Sequence, residues 1–248
     1  MKKRLLVLGL AFTMLAATAC GTSSDNGDKT SKADKTVTAT NDDKKTETQK
    51  NDDKDIKKEE TKENYKSADD ITMDDLKNHE ETPGEDFKYR DKSNGEAVIK
   101  EYMGDDPIVV IPNEIDGKKV VDFGKIFTNN KDIVAVRVGD NVENIKEGAF
   151  GNCDNLKYII LGKNVKVFEH GNVGGKKFEQ LELNDGLEQL GEEGTSGAVI
   201  ILNKDKVEVK IPESVNHMAF TGAKTLIVKA GSYAESFAKE HNMDYRVE

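Results

Sequence analysis

From Phe87 onward one apolar pattern recurs, and it constrains the fold more than any other feature of the chain. It reads Φ-x-Φ, three residues, Φ, two residues, Φ, where Φ is apolar. It appears as Val136-x-Val138, Val142 and Ile145, then as Ile159-x-Leu161, Val165 and Phe168. It returns as Leu181-x-Leu183, Leu187 and Leu190, and as Val209-x-Ile211, Val215 and Met218. A partial first copy is Val109-x-Ile111 and Ile115. The anchors Ile111, Val138, Leu161, Leu183 and Ile211 stand 27, 23, 22 and 28 residues apart. Repeats of about 20–29 residues are units that cannot bury an apolar face alone and do so by stacking.

The spacing dictates local structure. Φ-x-Φ is a short strand that shows two side chains to one face. The next residue is a chain-turner, Pro112, Gly139, Gly162, Asn184 or Pro212, after which the following Φ folds back inward. Stacked copies then share one core and one parallel sheet. Phe150, Cys153 and Phe220 read as core filling. The ends read as caps. Asp91-Lys-Ser-Asn-Gly95 between two apolar runs is a hairpin turn. Ser232 with Glu235 three residues later is a capping box opening a short helix, with Ala234, Phe237 and Ala238 on one face. Tyr245 and Val247 supply a last strand. The stretch Val199–Val209 is irregular and reads as an extra hairpin.

Three stretches carry a family resemblance. They are Tyr89 to Gly104 with Ile108 to Gly117, then Asn144-Ile-Lys-Glu-Gly-Ala-Phe-Gly-Asn-Cys-Asp-Asn-Leu156, then Ala230 to Asn242. They resemble the BspA-type bacterial leucine-rich repeat proteins, over roughly residues 87–248. The region near Gly191–Gly197 departs by lacking the Ala-Phe pair. The expected fold is a leucine-rich-repeat-like solenoid, β-rich with short parallel strands and turns, an N-terminal β-hairpin cap and a short C-terminal capping helix. The hairpin cap takes 87–106, the solenoid 107–228 and the C-terminal cap 229–248. The resemblance implies protein–protein recognition or adhesion, and a sheet with no helix over its outer face.

The N-terminus reads as an address. Lys2, Lys3 and Arg4 precede an uncharged run from Leu5 to Ala19. The run is shorter than the ~20 residues of a membrane span and suits a secretory signal, residues 1–19. Small residues lead into Cys20, which resembles a bacterial lipoprotein signal, although Ala17 stands where that family has Leu. The resemblance implies acylation at Cys20 and an extracytoplasmic, lipid-anchored protein exposed at a bacterial cell surface. Residues 20–86 then read as the lipidated Cys and a disordered acidic tether, since 20 acids, 12 bases and a single aromatic, Tyr65, fill residues 21–86. Within it, Ser67–Asn78 carries Ile71, Met73 and Leu76 behind Asp69 and Asp70, and leaves a short helix open.

Chemistry is sparse. The chain has 47 Asp+Glu against 37 Lys+Arg, a net charge of −10, which argues against nucleic-acid binding. No nucleophile elbow, zinc-binding helix or phosphate loop is present, and Gly174-Gly-Lys-Lys177 reads as a surface turn. Four His fall in unlike places. The sequence thus points to a monomer that is no enzyme and calls for no metal or cofactor. What remains is the outward sheet face. Stacking sets Val110, Arg137, Ile160, Glu182 and Lys210 in one column, and Ile108, Ala135, Tyr158, Gln180 and Glu208 in the next. Arg137, Tyr158, Ile160, Glu182 and Lys210 are the candidate contacts for a protein or surface ligand, since aromatic and Arg residues are favoured anchors. The alternative is an envelope-housekeeping or solute- and glycan-binding lipoprotein.

Overall fold

The computed structural model describes residues 67–169, 173, 175, 177–191, 200–201 and 205–248, all within one unit, Glu60–Glu248. The signal segment, Cys20 and the tether up to residue 66 lie outside the described residues. So do His170, Gly174 and most of the irregular stretch after Gly191.

The described chain opens with a 3-10 turn, Ala68–Asp70, and helix α1, Met73–Asn78. The hairpin follows, β1 (Phe87–Asp91) and β2 (Ala97–Tyr102), antiparallel with a bulge between Lys88 and Tyr89. Next come β3 (Ile108–Val110), β4 (Glu114–Ile115), β5 (Lys118–Phe123), β6 (Ala135–Arg137) and β7 (Asn144–Ile145). Then come β8 (Tyr158–Ile160), β9 (Val167–Phe168), β10 (Gln180–Glu182), β11 (Gln189–Leu190) and β12 (Ile200–Ile201). The chain ends with β13 (Glu208–Lys210), β14 (His217–Met218), β15 (Phe220–Thr221), β16 (Thr225–Val228), helix α2 (Tyr233–Glu240) and β17 (Tyr245–Val247).

Each repeat contributes to two parallel sheets. The front sheet is β10-β8-β6-β3, built from the Φ-x-Φ segments. Its register is the expected one: Ile108, Ala135, Tyr158 and Gln180 are neighbours, as are Val110, Arg137, Ile160 and Glu182. The back sheet runs β1-β2-β5-β7-β9-β11-β14. Sequence reasoning expected a single parallel sheet. The final Φ of each copy and the residue before it instead extend and pair with the next repeat, as Ile145 does with Phe168 and Leu190 with Met218. The hairpin is therefore continuous with the back sheet through β2 and β5.

Two expectations fail at the C-terminal end of the stack. The column ending in Lys210 stops at Glu182, because β13 leaves the front sheet and pairs with β16, which in turn pairs with β17. β13 instead aligns Glu208 with Thr225, Val209 with Leu226 and Lys210 with Ile227, so its strand hydrogen bonds go to the segment after it rather than to β10. The extra hairpin is also absent from what is described: Ile200–Ile201 pairs in parallel with Phe220–Thr221.

Both caps form. Ser232 Oγ accepts the Glu235 N–H at 3.2 Å, as expected of a helix N-cap. Glu235 reaches the Gly231 N–H at 2.7 Å instead of closing a capping box on Ser232. Ala234, Phe237 and Ala238 are buried, and β17 adds to β16.

The core is a spine of rings. Phe87 meets Tyr102 at 5.3 Å, Tyr102 meets Phe127 at 5.7 Å, Phe127 stacks on Phe150 at 5.7 Å, and Phe150 meets Phe168 edge-on at 6.0 Å. The spine joins the hairpin to three repeats. Cys153 lies beside it, buried, donating to the Phe127 carbonyl at 3.0 Å. Burial pushes its thiol up to about 11. The turns leave no room for side chains: a Cβ on Gly162 would sit 2.2 Å from the Gly139 carbonyl oxygen, and one on Gly139 2.6 Å from that of Ile111. Ion pairs mark the same stacking. Lys131–Asp154, Lys146–Glu169 and Asp140–Lys163 each span 23 residues. Such exposed pairs contribute about 0–1 kcal/mol each, so they report the register rather than hold it.

Removing a ring from the spine tests this account. Phe150→Ala leaves a cavity among Phe123, Phe127 and Phe168 and lowers stability by about 3–5 kcal/mol, read as a shift in the urea midpoint. A loss below about 1 kcal/mol would mean that the spine is not a shared core.

Candidate functional site

The front face is the candidate site, and it carries a finding that sequence reasoning missed: residues 67–83 lie across it. Residues 67–86 are ordered on the repeat domain, so the tether reading, which ran to residue 86, ends at least twenty residues too late. We call 67–83 the strap. The expectation of a face without a helix over it is overturned by α1.

The strap folds for local reasons. Ser67 Oγ accepts the Asp69 N–H at 3.2 Å and caps the 3-10 turn. Thr72 and Asp75 close a full capping box: Thr72 Oγ1 accepts the Asp75 N–H at 3.2 Å, and Asp75 accepts the Thr72 N–H at 2.7 Å. The Thr72 hydroxyl and N–H hold the Asp75 carboxyl below its ordinary value. A helix of six residues is too short to persist alone in water. Its stability comes from what Ile71 and Leu76 bury.

Ile71 and Leu76 are fully buried in a small second core with Ile108, Val134, Ala135 and Tyr158. Ala68, Met73 and Ile160 pack at its margin. Cations on the face then hold the strap's backbone. Lys157 is only 6% exposed, and its Nζ donates to the Ile71 carbonyl at 2.9 Å and the Asp69 carbonyl at 3.3 Å. Arg137 Nη2 donates to the His79 carbonyl at 2.6 Å, while its buried Nε has no hydrogen-bond partner. Two peripheral ion pairs follow, Lys177–Asp69 at 3.2 Å and Lys77–Glu182 at 2.9 Å. At its end the strap covers the edge of the front sheet: the Thr82 N–H donates to the Val110 carbonyl at 3.0 Å, and Thr82 Oγ1 accepts the Val110 N–H at 2.9 Å. An edge strand left with unpaired backbone groups invites pairing with other chains.

The five sequence-predicted contacts divide accordingly. The structure brings Arg137, Tyr158, Ile160 and Glu182 together on one face. Tyr158 is 8% exposed beneath the strap and donates to Glu179 at 2.7 Å. Burial first, then that carboxylate, pushes its phenol up to about 12. Lys210 is set apart on β13 and pairs with Glu248 rather than Glu182. Between β10 and β13 lies a cleft of ≈ 500 Å³ edged by Glu182, Asp185, Glu208, Lys206 and Lys210. Lys157, the residue that grips the strap, was not singled out from the sequence. Its signal was its place just before Tyr158, where a strand's flanking residue turns toward the face.

No group of three or more metal-ligating side chains occurs among the described residues, and no described helix is long and apolar enough to cross a membrane. No protein-family model matches the sequence, and no curated protein matches it. Solved structures do. The leucine-rich repeat protein TpLRR of T. pallidum superimposes with a TM-score of 0.50 at 25% identity, over 60% of this chain and 71% of that one. The repeat domain has a leucine-rich-repeat solenoid fold. A leucine-rich cell surface protein from Faecalibacterium prausnitzii A2-165 aligns at 16% identity over 58% of this chain and 53% of its own, with a TM-score of 0.35. A leucine-rich repeat protein from Bacteroides ovatus ATCC 8483 aligns at 17% identity over 58% and 48%, with a TM-score of 0.38. The fold assignment rests on the strands, their register and the first of these.

The grip of Lys157 is open to test. Lys157→Met keeps the apolar stem and loses charged hydrogen bonds worth about 1.5–3 kcal/mol each. Trypsin cleavage after Lys77 in the full chain should then speed up roughly tenfold or more, with the urea midpoint of the repeat core unchanged. Cleavage at the wild-type rate would show that carbonyl capture does not hold the strap.

Proposed function

We propose that the chain is a bacterial cell-surface lipoprotein of the BspA-like kind. In this reading Cys20 is its acylated anchor and the repeat domain serves protein–protein recognition or adhesion, without catalysis. The observation that carries the reading is the front face itself. Three-residue parallel strands present Arg137, Tyr158 and Ile160 in fixed columns, with Lys157 just before β8, and these side chains already hold a peptide segment. A surface that seats isoleucine and leucine side chains and captures backbone carbonyls has the chemistry of a peptide-binding face. The short-strand sheet supplies rigidity, so little side-chain entropy is lost on binding. The signal-like N-terminus and the acidic composition of the run after Cys20 support display at a distance from the membrane.

Two measurements test the reading. Expressed in a bacterium, the wild-type chain partitions into detergent and is accessible to added protease on whole cells, and Cys20→Ala moves it to the aqueous phase. Equal partitioning of both forms would remove the lipid anchor. For recognition, the secreted full-length chain is used as bait against cell-surface and extracellular protein, beside Arg137→Ala/Tyr158→Ala/Ile160→Ala. A partner captured by the wild type and lost from the variant supports the face as the site. A partner retained by the variant places recognition elsewhere.

A further inference from the structure

The front face is not free, and what covers it states what it recognises. We infer that the strap is a built-in competitor, and that the partner it excludes is a protein bearing an acidic amphipathic segment of the strap's own kind. The inference rests on the recognition reading above and adds the ligand's chemistry and its control.

The ligand's chemistry can be read contact by contact. Two aliphatic side chains five residues apart, Ile71 and Leu76, fill the apolar seats. Backbone carbonyls before and after them meet Lys157 and Arg137, which demands an exposed backbone but no particular side chain there. The intervening and flanking residues are acidic. Residues 67–83 hold Asp69, Asp70, Asp74, Asp75, Glu80 and Glu81 against Lys77 alone. They approach a face whose cations are Lys157, Lys177 and Arg137. Charge complementarity of this sense speeds encounter and rejects basic segments. A glycan would find neither exposed rings nor a polar floor here, because Tyr158 lies at the bottom of an aliphatic seat.

The same contacts show why the strap can leave. Ile71 and Leu76 are the only side chains of the strap that are fully buried in its apolar seat. Against this burial stands the backbone entropy lost by every residue ordered. The strap's side chains join the main core nowhere: Ile71 and Leu76 belong to a cluster separate from the one that holds the repeats together. A segment held outside the main core is of the kind drawn on for regulated opening. Tethered on the same chain, it competes at an effective concentration of order mM, so a partner in solution meets a face that is closed until the strap is displaced.

The test uses the full chain and a fluorescent synthetic peptide of residues 67–83. In Ile71→Asp/Leu76→Asp the strap's own seats are emptied while every repeat residue is kept. Ile71→Ala/Leu76→Ala serves as the milder form should the first fold poorly. The peptide should bind either strap-released chain at least tenfold more tightly than it binds wild type. Adding Lys157→Met to the released chain should weaken that binding, and a peptide carrying aspartate at both seats should not bind. Equal binding to wild type and released chains would overturn the inference. So would no binding to a released chain whose strap exchanges freely, or a wild-type dimer held by exchanged straps. The peptide assay needs no surface partner. If the bait experiment fails while the peptide binds, the face's chemistry stands and the surface-recognition reading falls.

Discussion

The step from one repeat to the next is the constraint on which the rest of the structure depends. Strands of two or three residues cannot satisfy their own backbone groups, and each is completed by the strand above and below it. The bonds recur at the first three steps: the Ile111 N–H donates to the Arg137 carbonyl, Val138 to Ile160 and Leu161 to Glu182, at 2.8–2.9 Å. Gly139 and Gly162 let the turns approach until no Cβ fits between them. The phenylalanine spine then fills the space that this spacing leaves. At the last copy the front sheet ends with β10 while the back sheet continues through β11 and β14.

A flat face made by such stacking is apolar where consecutive repeats place Ile108, Ala135 and Tyr158 side by side. Left bare, it would be an exposed patch with an unpaired edge at β3. The strap answers both, laying Ile71 and Leu76 on the patch and Thr82 along the edge. One short acidic segment thereby protects the sheet and occupies the surface best suited to recognition. That double role follows from the geometry of the repeat, since the residues that make the face sticky are those that fix its columns.

Much of this was legible in the sequence. The front-sheet register follows from the period-2 alternation within Φ-x-Φ, and Ile108-Ala135-Tyr158-Gln180 fell into line as spaced. The hairpin turn, the Ser232 cap and the buried face of α2 were readable because turn and cap residues act locally. The second sheet was not, because a single apolar residue such as Phe168 or Leu190 carries no period from which a strand can be inferred. The strap was half legible. Thr72 and Asp75 spell a capping box, but a segment with so few apolar residues reads as tether until its seat is known, and Lys157 holds it from 86 residues away. Lys210 fell out of its column because β13 pairs with β16, a strand outside the Φ-x-Φ copies, and the repeat pattern carries no signal for that pairing.

The central claim is that residues 67–83 are part of the folded repeat domain and close its front face. Hydrogen exchange of the full-length chain tests it most directly, read at the amides of Asp75, Leu76 and Thr82. Their partners are Thr72 Oγ1, the Thr72 carbonyl and the Val110 carbonyl. The account predicts protection of these amides well above the unstructured rate, below that of the amides at Val138 and Leu161, and lost in Ile71→Asp/Leu76→Asp while the repeat amides keep theirs. Exchange of all three at the unstructured rate in the wild-type chain, with the repeats protected, would contradict it.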